Sequence, residues 1–95
     1  MSRDQILKTI ADHRDALRAL HVRELSLFGS HARGEATPTS DIDFLLELDE
    51  KTFDAYMDVK EYLESLFQTR VDLVLKSALK DRLRDAILSE AVRAA

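Results

Sequence analysis

The chain has 95 residues, 45% hydrophobic and 34% charged, which suits one globular domain spanning residues 1–95 and excludes a disordered or fibrous chain. Fourteen Lys and Arg against 18 Asp and Glu leave a net charge of −4, a balance that argues against a polynucleotide partner but admits a single nucleotide with a bound metal. Cysteine is absent, so disulfides and thiolate zinc sites are excluded, and His13, His21 and His31 show no metal-ligand spacing.

The N-terminal residues carry acid and amide groups where a signal peptide needs an apolar stretch, and no run approaches a membrane span, so a cytoplasmic protein is expected. Ile6, Leu7, Ile10, Leu17 and Leu20 recur at helical spacing and predict one amphipathic helix from Ser2 to about Leu20. Ser2 and Gln5 fit a capping box at its start. Leu25, Leu27 and Phe28 then predict a short buried strand ending at Gly29. Both glycines and the only proline fall between Gly29 and Ser40, where the chain must turn sharply. Residues Asp41 to Leu48 are apolar on both faces beyond Asp43, as in a central strand. Helical spacing returns from Phe53 to Phe67, and Val71 to Leu75 form a third strand. A last helix is expected from Ser77 as N-cap, through Leu79, Leu83, Ala86, Ile87 and Ala91. The economical architecture is α/β: a three-stranded sheet covered by helices, with strand directions left open.

Three carboxylates stand in costly places. Asp41 and Asp43 are two apart at a strand start, so they project from one face with Cα atoms roughly 6–7 Å apart. Asp72 sits between Val71 and Leu73 in an apolar strand, where an unpaired carboxylate would cost stability. A Mg²⁺ site would relieve all three, because hard cations take a few carboxylates and complete their shell with phosphates. The structural alternatives are a turn cap for Asp41, a solvent-facing strand start for Asp43, and a water-facing edge position for Asp72 beside Arg70.

The segment Leu27-Phe28-Gly29-Ser30-His31-Ala32-Arg33-Gly34 ends a strand in Gly-Ser and starts a helical turn, which offers free N–H groups and a hydroxyl to a phosphate. Arg33 could add a charge-assisted contact to phosphate or hold a neighbouring carboxylate. No Gly-Lys-Ser/Thr follows, so this is not a P-loop. Tyr56 and Tyr62 are read as packing residues, and Lys80, Arg82, Arg84 and Arg93 as a solvated face. Arg70 and Lys76 bracket the third strand and are left outside the site.

Gly29-Ser30, ten residues, then Asp41-Ile42-Asp43 matches the signature of the DNA polymerase beta-like nucleotidyltransferase superfamily. Gly-Ser-His-Ala-Arg-Gly-Glu followed by Ser40-Asp41-Ile42-Asp43 resembles the minimal nucleotidyltransferases, small proteins found beside HEPN-domain partners in toxin–antitoxin pairs. The resemblance extends over the chain and is most specific in residues 27–48. It implies a mixed sheet with the three carboxylates at one end. It further implies Mg²⁺ (two ions) and ATP there, with Asp41, Asp43 and Asp72 as catalytic metal ligands. Gly29, Ser30 and Arg33 would bind the nucleotide, and Asp72 would draw the proton from the attacking hydroxyl. His31 is given no role.

The activity so implied is AMP transfer from ATP to a hydroxyl, a tyrosine of a HEPN toxin, by an antitoxin. A non-catalytic antitoxin that covers its partner is the competing reading. A transferase for small molecules would need a further substrate domain, and a template polymerase sits poorly with the acidic balance. An apolar helix face could serve a homo-oligomer or a toxin complex.

Overall fold

A computed structural model describes residues 1–95. Ser2 and Gln5 close the capping box, with Ser2 N–H donating to Gln5 Oε1 at 2.8 Å and Gln5 N–H to Ser2 Oγ at 3.2 Å. The helix they start does not reach Leu20. It divides into α1 (Arg3–Asp12) and α2 (Arg14–Ala19) at His13, whose backbone leaves helical angles at φ −112° and ψ 18°. His13 Nδ1 hydrogen-bonds the Thr9 carbonyl at 2.8 Å, and its ring meets Tyr62 edge-on with centroids 6.2 Å apart. Ile6, Ile10 and Leu17 all remain fully buried across the break, so the apolar spacing reads as one helix. Neither glycine nor proline marks it.

Strand β1 (Val22–Phe28) is longer than predicted because its outer end, with Arg23 and Glu24, is polar and carries a bulge between Val22 and Glu24. The helical turn α3 (Gly29–Arg33) follows at once and ends at Gly34, which adopts φ +74°. Strand β2 (Ile42–Leu48) and helix α4 (Phe53–Phe67) form as expected; Thr52 caps α4 by accepting from Ala55 N–H at 3.0 Å. Strand β3 (Val71–Leu75) also matches the prediction.

The C-terminal region differs. Ser77 is not a cap: Lys76–Ala78 make a 3₁₀ turn, and α5 (Asp81–Glu90) begins after Lys80 without a side-chain cap. Ala91 turns extended at φ −66° and ψ 136°, and β4 (Val92–Arg93) pairs with β1. A two-residue strand has too little pattern to be read, and Ala91, four residues after Ile87, continues the helical spacing one residue past the true end.

The sheet order is β3-β2-β1-β4, with β1 antiparallel to β2 and to β4, and β2 parallel to β3. The fourth strand extends the three expected, and the sheet is mixed, as the resemblance implies. Alternation assigns Ile42, Phe44, Leu46, Val71 and Leu73 to one face, where they join Ile6, Ile10, Leu17, Val59, Leu63 and Phe67 in the core. The Tyr56 hydroxyl donates to the Leu73 carbonyl, and Tyr62 packs against the core as a half-buried residue. No helix is long and apolar enough to cross a membrane.

Candidate active site

Register brings the acidic residues together. Asp43 lies opposite Asp72 across the parallel pair β2 and β3, and opposite Phe28, the residue before Gly29, across β1 and β2. Asp43, Asp72 and the start of α3 therefore occupy one end of the sheet, on the face opposite the core. Asp41 sits one residue ahead of β2 and is exposed; Asp43 is half-buried.

Asp72 is exposed, so the expectation of a buried lone carboxylate there is corrected: β3 is an edge strand and its non-core face opens to solvent. Its charge still bears on the site. Burial pushes the Asp43 carboxyl up to about 6, helped by the Asp72 charge, by a hydrogen bond shared with Asp72 and by the Asp41 charge, with Arg33 acting weakly the other way. Asp43 is thus a carboxyl forced among like charges. The donors are hard oxygens carrying excess negative charge, the chemistry that suits Mg²⁺. They do not form a ready three-ligand cluster. A cation there would complete its shell with further oxygens, such as those of a substrate phosphate.

Gly29 has a use that sequence reasoning did not find. Its φ is +75°, and a Cβ built on it would lie 2.1 Å from Asp43 Oδ2. The space that a side chain would fill is held by the Asp43 carboxylate, so glycine brings α3 directly against that acid. Gly29 N–H donates to Glu90 Oε1 at 3.1 Å. Arg33 is engaged as well: Nη1 donates to Glu90 Oε2 at 3.0 Å and Nε to Glu35 Oε2 at 3.1 Å, which raises its pKa further above its ordinary value. Of the two roles open to Arg33 from sequence, holding a carboxylate is the one seen. The Ser30 side chain takes no part in this network.

Glu90 was missed because it stands 61 residues from Gly29, and no local spacing signals it. His31, left without a role, is buried at 6% exposure with Nδ1 unpartnered. Burial lowers its pKa, as does the nearby N-terminal charge, against a hydrogen bond to the Asp41 backbone that raises it.

Residues 10–94 match the nucleotidyltransferase domain family. The chain belongs to that family. The minimal nucleotidyltransferase so identified is 40% identical over 91 residues to protein adenylyltransferase MntA of Thermococcus cleftensis, covering 94% of this chain and 92% of that protein. A solved minimal nucleotidyltransferase superposes with a TM-score of 0.83 at 32% identity, over 97% of this chain and 95% of the other. The antitoxin in a Shewanella oneidensis complex with a tri-AMPylated HEPN toxin shares the fold, at TM-score 0.65 and 18% identity over 94% and 71% of the two chains. The chain is a nucleotidyltransferase with a polymerase beta-like fold.

Proposed function

We propose that residues 1–95 act as one domain that transfers AMP from ATP to a tyrosine hydroxyl of a HEPN-domain toxin, making this protein the antitoxin of a cytoplasmic pair. The observation that carries the reading is the meeting of Gly29 with Asp43 and Asp72 at one sheet end, in a chain 40% identical to a protein adenylyltransferase.

Asp41, Asp43 and Asp72 would hold Mg²⁺, two ions in the family's logic. When bound, the metal neutralises the triphosphate and the charge that develops on the leaving oxygen. Ser30, at the start of α3, anchors the triphosphate with its hydroxyl and backbone N–H, and Gly29 keeps that anchor beside the acids. Arg33 contributes positive charge at the same end while tethered to Glu90 and Glu35. The acceptor oxygen bonds to the α-phosphorus, the bond from that phosphorus to the bridging oxygen breaks, and pyrophosphate leaves. Asp72, exposed on the edge strand, takes the hydroxyl proton. Its accessibility suits an acceptor as large as a protein.

The test is AMP transfer itself. The chain is incubated with Mg²⁺, α-labelled ATP and the HEPN-domain partner from its host, with the Asp41→Asn and Asp43→Asn variants alongside. Label on a partner tyrosine that requires both aspartates and Mg²⁺, and is absent with γ-labelled ATP, is the expected result. Transfer retained by both variants would overturn the mechanism. Toxin neutralisation by both variants at equal stoichiometry, without label, would establish the covering antitoxin instead.

A further inference from the structure

Glu90 closes α5, and one carboxylate there serves two donors: Gly29 N–H at Oε1 and Arg33 Nη1 at Oε2. Gly29 and Arg33 are the first and last residues of α3, so this side chain grips the turn at both ends. Its side chain is 27% exposed, against 65% for Glu35, the other acid that meets Arg33. On the other side of Gly29 stands the Asp43 carboxylate, with no room for a Cβ between them. Gly29 is therefore held between two acids from different elements.

We propose that Glu90 is a positioning residue for nucleotidyl transfer: it locks α3 against Asp43 so that Ser30 meets the nucleotide at a fixed distance from the acids. This rests on the function proposed above and extends it to the last helix, which has no other link to the chemistry. A turn of five residues cannot hold itself, because helix nucleation is unfavourable and short helices depend on outside contacts. A charge-assisted pair to Arg33 combined with a bond to the Gly29 amide supplies such a contact. The opposite role is an internal anion that occupies the phosphate seat and is displaced when a triphosphate reaches Arg33. It predicts tighter nucleotide binding once Glu90 is removed.

The experiment measures kcat and KM for ATP in AMP transfer to the HEPN-domain partner, together with Tm, for wild type, Glu90→Ala, Glu90→Gln and Asp43→Asn. Glu90→Ala should lower kcat on the order of 10–100-fold, the usual consequence of a reacting group misplaced by about 1 Å. Glu90→Gln, nearly isosteric and still offering one acceptor oxygen, should recover much of that loss and guards against failure to fold. The chain has only two glycines, so the Gly29 amide resonance is readily followed, and it should shift in Glu90→Ala. A lowered Tm with kcat and KM unchanged would overturn the proposal, and a lowered KM would make Glu90 a blocking residue instead. Transfer retained by Asp43→Asn but lost in Glu90→Ala would sink the metal-site reading and keep the brace. No transfer by wild type would sink both.

Discussion

Neighbouring residues of β2 live in two different environments. Ile42, Phe44, Leu46 and Leu48 are at most 2% exposed and belong to the core, whereas Asp43 and Glu47 on the other face are half-buried. On β3, Val71 and Leu73 are buried while Asp72 between them is exposed. One side of each strand is spent on holding the sheet to α1, α2 and α4. The other side is mixed: Leu45 is buried there at 4% exposure, while its end gathers Asp43 and Asp72, like charges that no fold would collect for stability alone. At the Asp43 and Asp72 end the strands thus keep the destabilising chemistry one residue away from the packing, because the side-chain period of two turns it to the other face.

Substitutions at adjacent positions should break this division most visibly. Phe44→Ala removes a fully buried ring that packs on Phe67 at a centroid distance of 5.9 Å, and should cost about 3–5 kcal/mol of unfolding free energy. Asp43→Asn should do the reverse. Transfer should fall by about 10²–10³-fold or more, as expected when a transition-state electrostatic contact is lost. The metal-free protein should become more stable, because an acid forced among acids is gone. Urea unfolding in EDTA, set beside the transfer assay, reads both. An Asp43→Asn variant that is less stable than wild type would mean that the carboxylate is needed for packing and that the two faces are not separate.

The two glycines sharpen the comparison at smaller amplitude. Both have positive φ, but a Cβ at Gly29 would collide with Asp43 whereas at Gly34 it would meet nothing within 4 Å. Gly34→Ala should cost only the strain of a left-handed residue, about 1 kcal/mol, and leave transfer near wild type. Gly29→Ala bears the same strain and must also displace the Asp43 carboxylate, so it should cost about 2–3 kcal/mol and lose most transfer. Thermal unfolding and the transfer rate of the two variants decide the matter; equal behaviour would mean that the close approach of Gly29 to Asp43 has no function.

Those two glycines also mark the limits of what the residues declare by themselves. The turn after β1 is written in Gly29, Gly34 and Pro38, and the acids in the spacing of Asp41 and Asp43, because both signals are local. Asp72 was recognisable as an acid in an apolar strand, yet its exposure was not, since an edge strand and a central one differ only in neighbours that arrive later in the chain. The break at His13 was hidden because Ile6, Ile10 and Leu17 stay on one face on either side of it. Glu90 could not be found from spacing at all: its role exists only once β4 pairs with β1 and carries the end of α5 to Gly29. Contacts across 61 residues leave no periodic trace.

The smallest effect expected is a dependence of stability on pH that belongs to Asp43 alone. Its carboxyl rises from an ordinary 3.8 to about 6 on folding, so between those values the folded chain binds more protons than the unfolded one. Stability contributed by that proton is fully present below about pH 4 and is lost as pH rises through 6. The full shift would correspond to about 3 kcal/mol, but Asp43 is only half-buried and solvent screens the repulsion, so a loss on the order of 1 kcal/mol is expected. Other groups titrate in the same window, so the informative quantity is the difference between wild type and Asp43→Asn, measured by unfolding at pH 5 and pH 7.5 in EDTA. The variant should gain on wild type as pH rises. Millimolar Mg²⁺ at pH 7.5 should close that gap by stabilising wild type alone, because a cation compensates only a carboxylate that is ionised. A gap that Mg²⁺ leaves unchanged would show that the strain at Asp43 is relieved by something other than a metal, and would move attention from the cation to the groups of the nucleotide or of the protein acceptor.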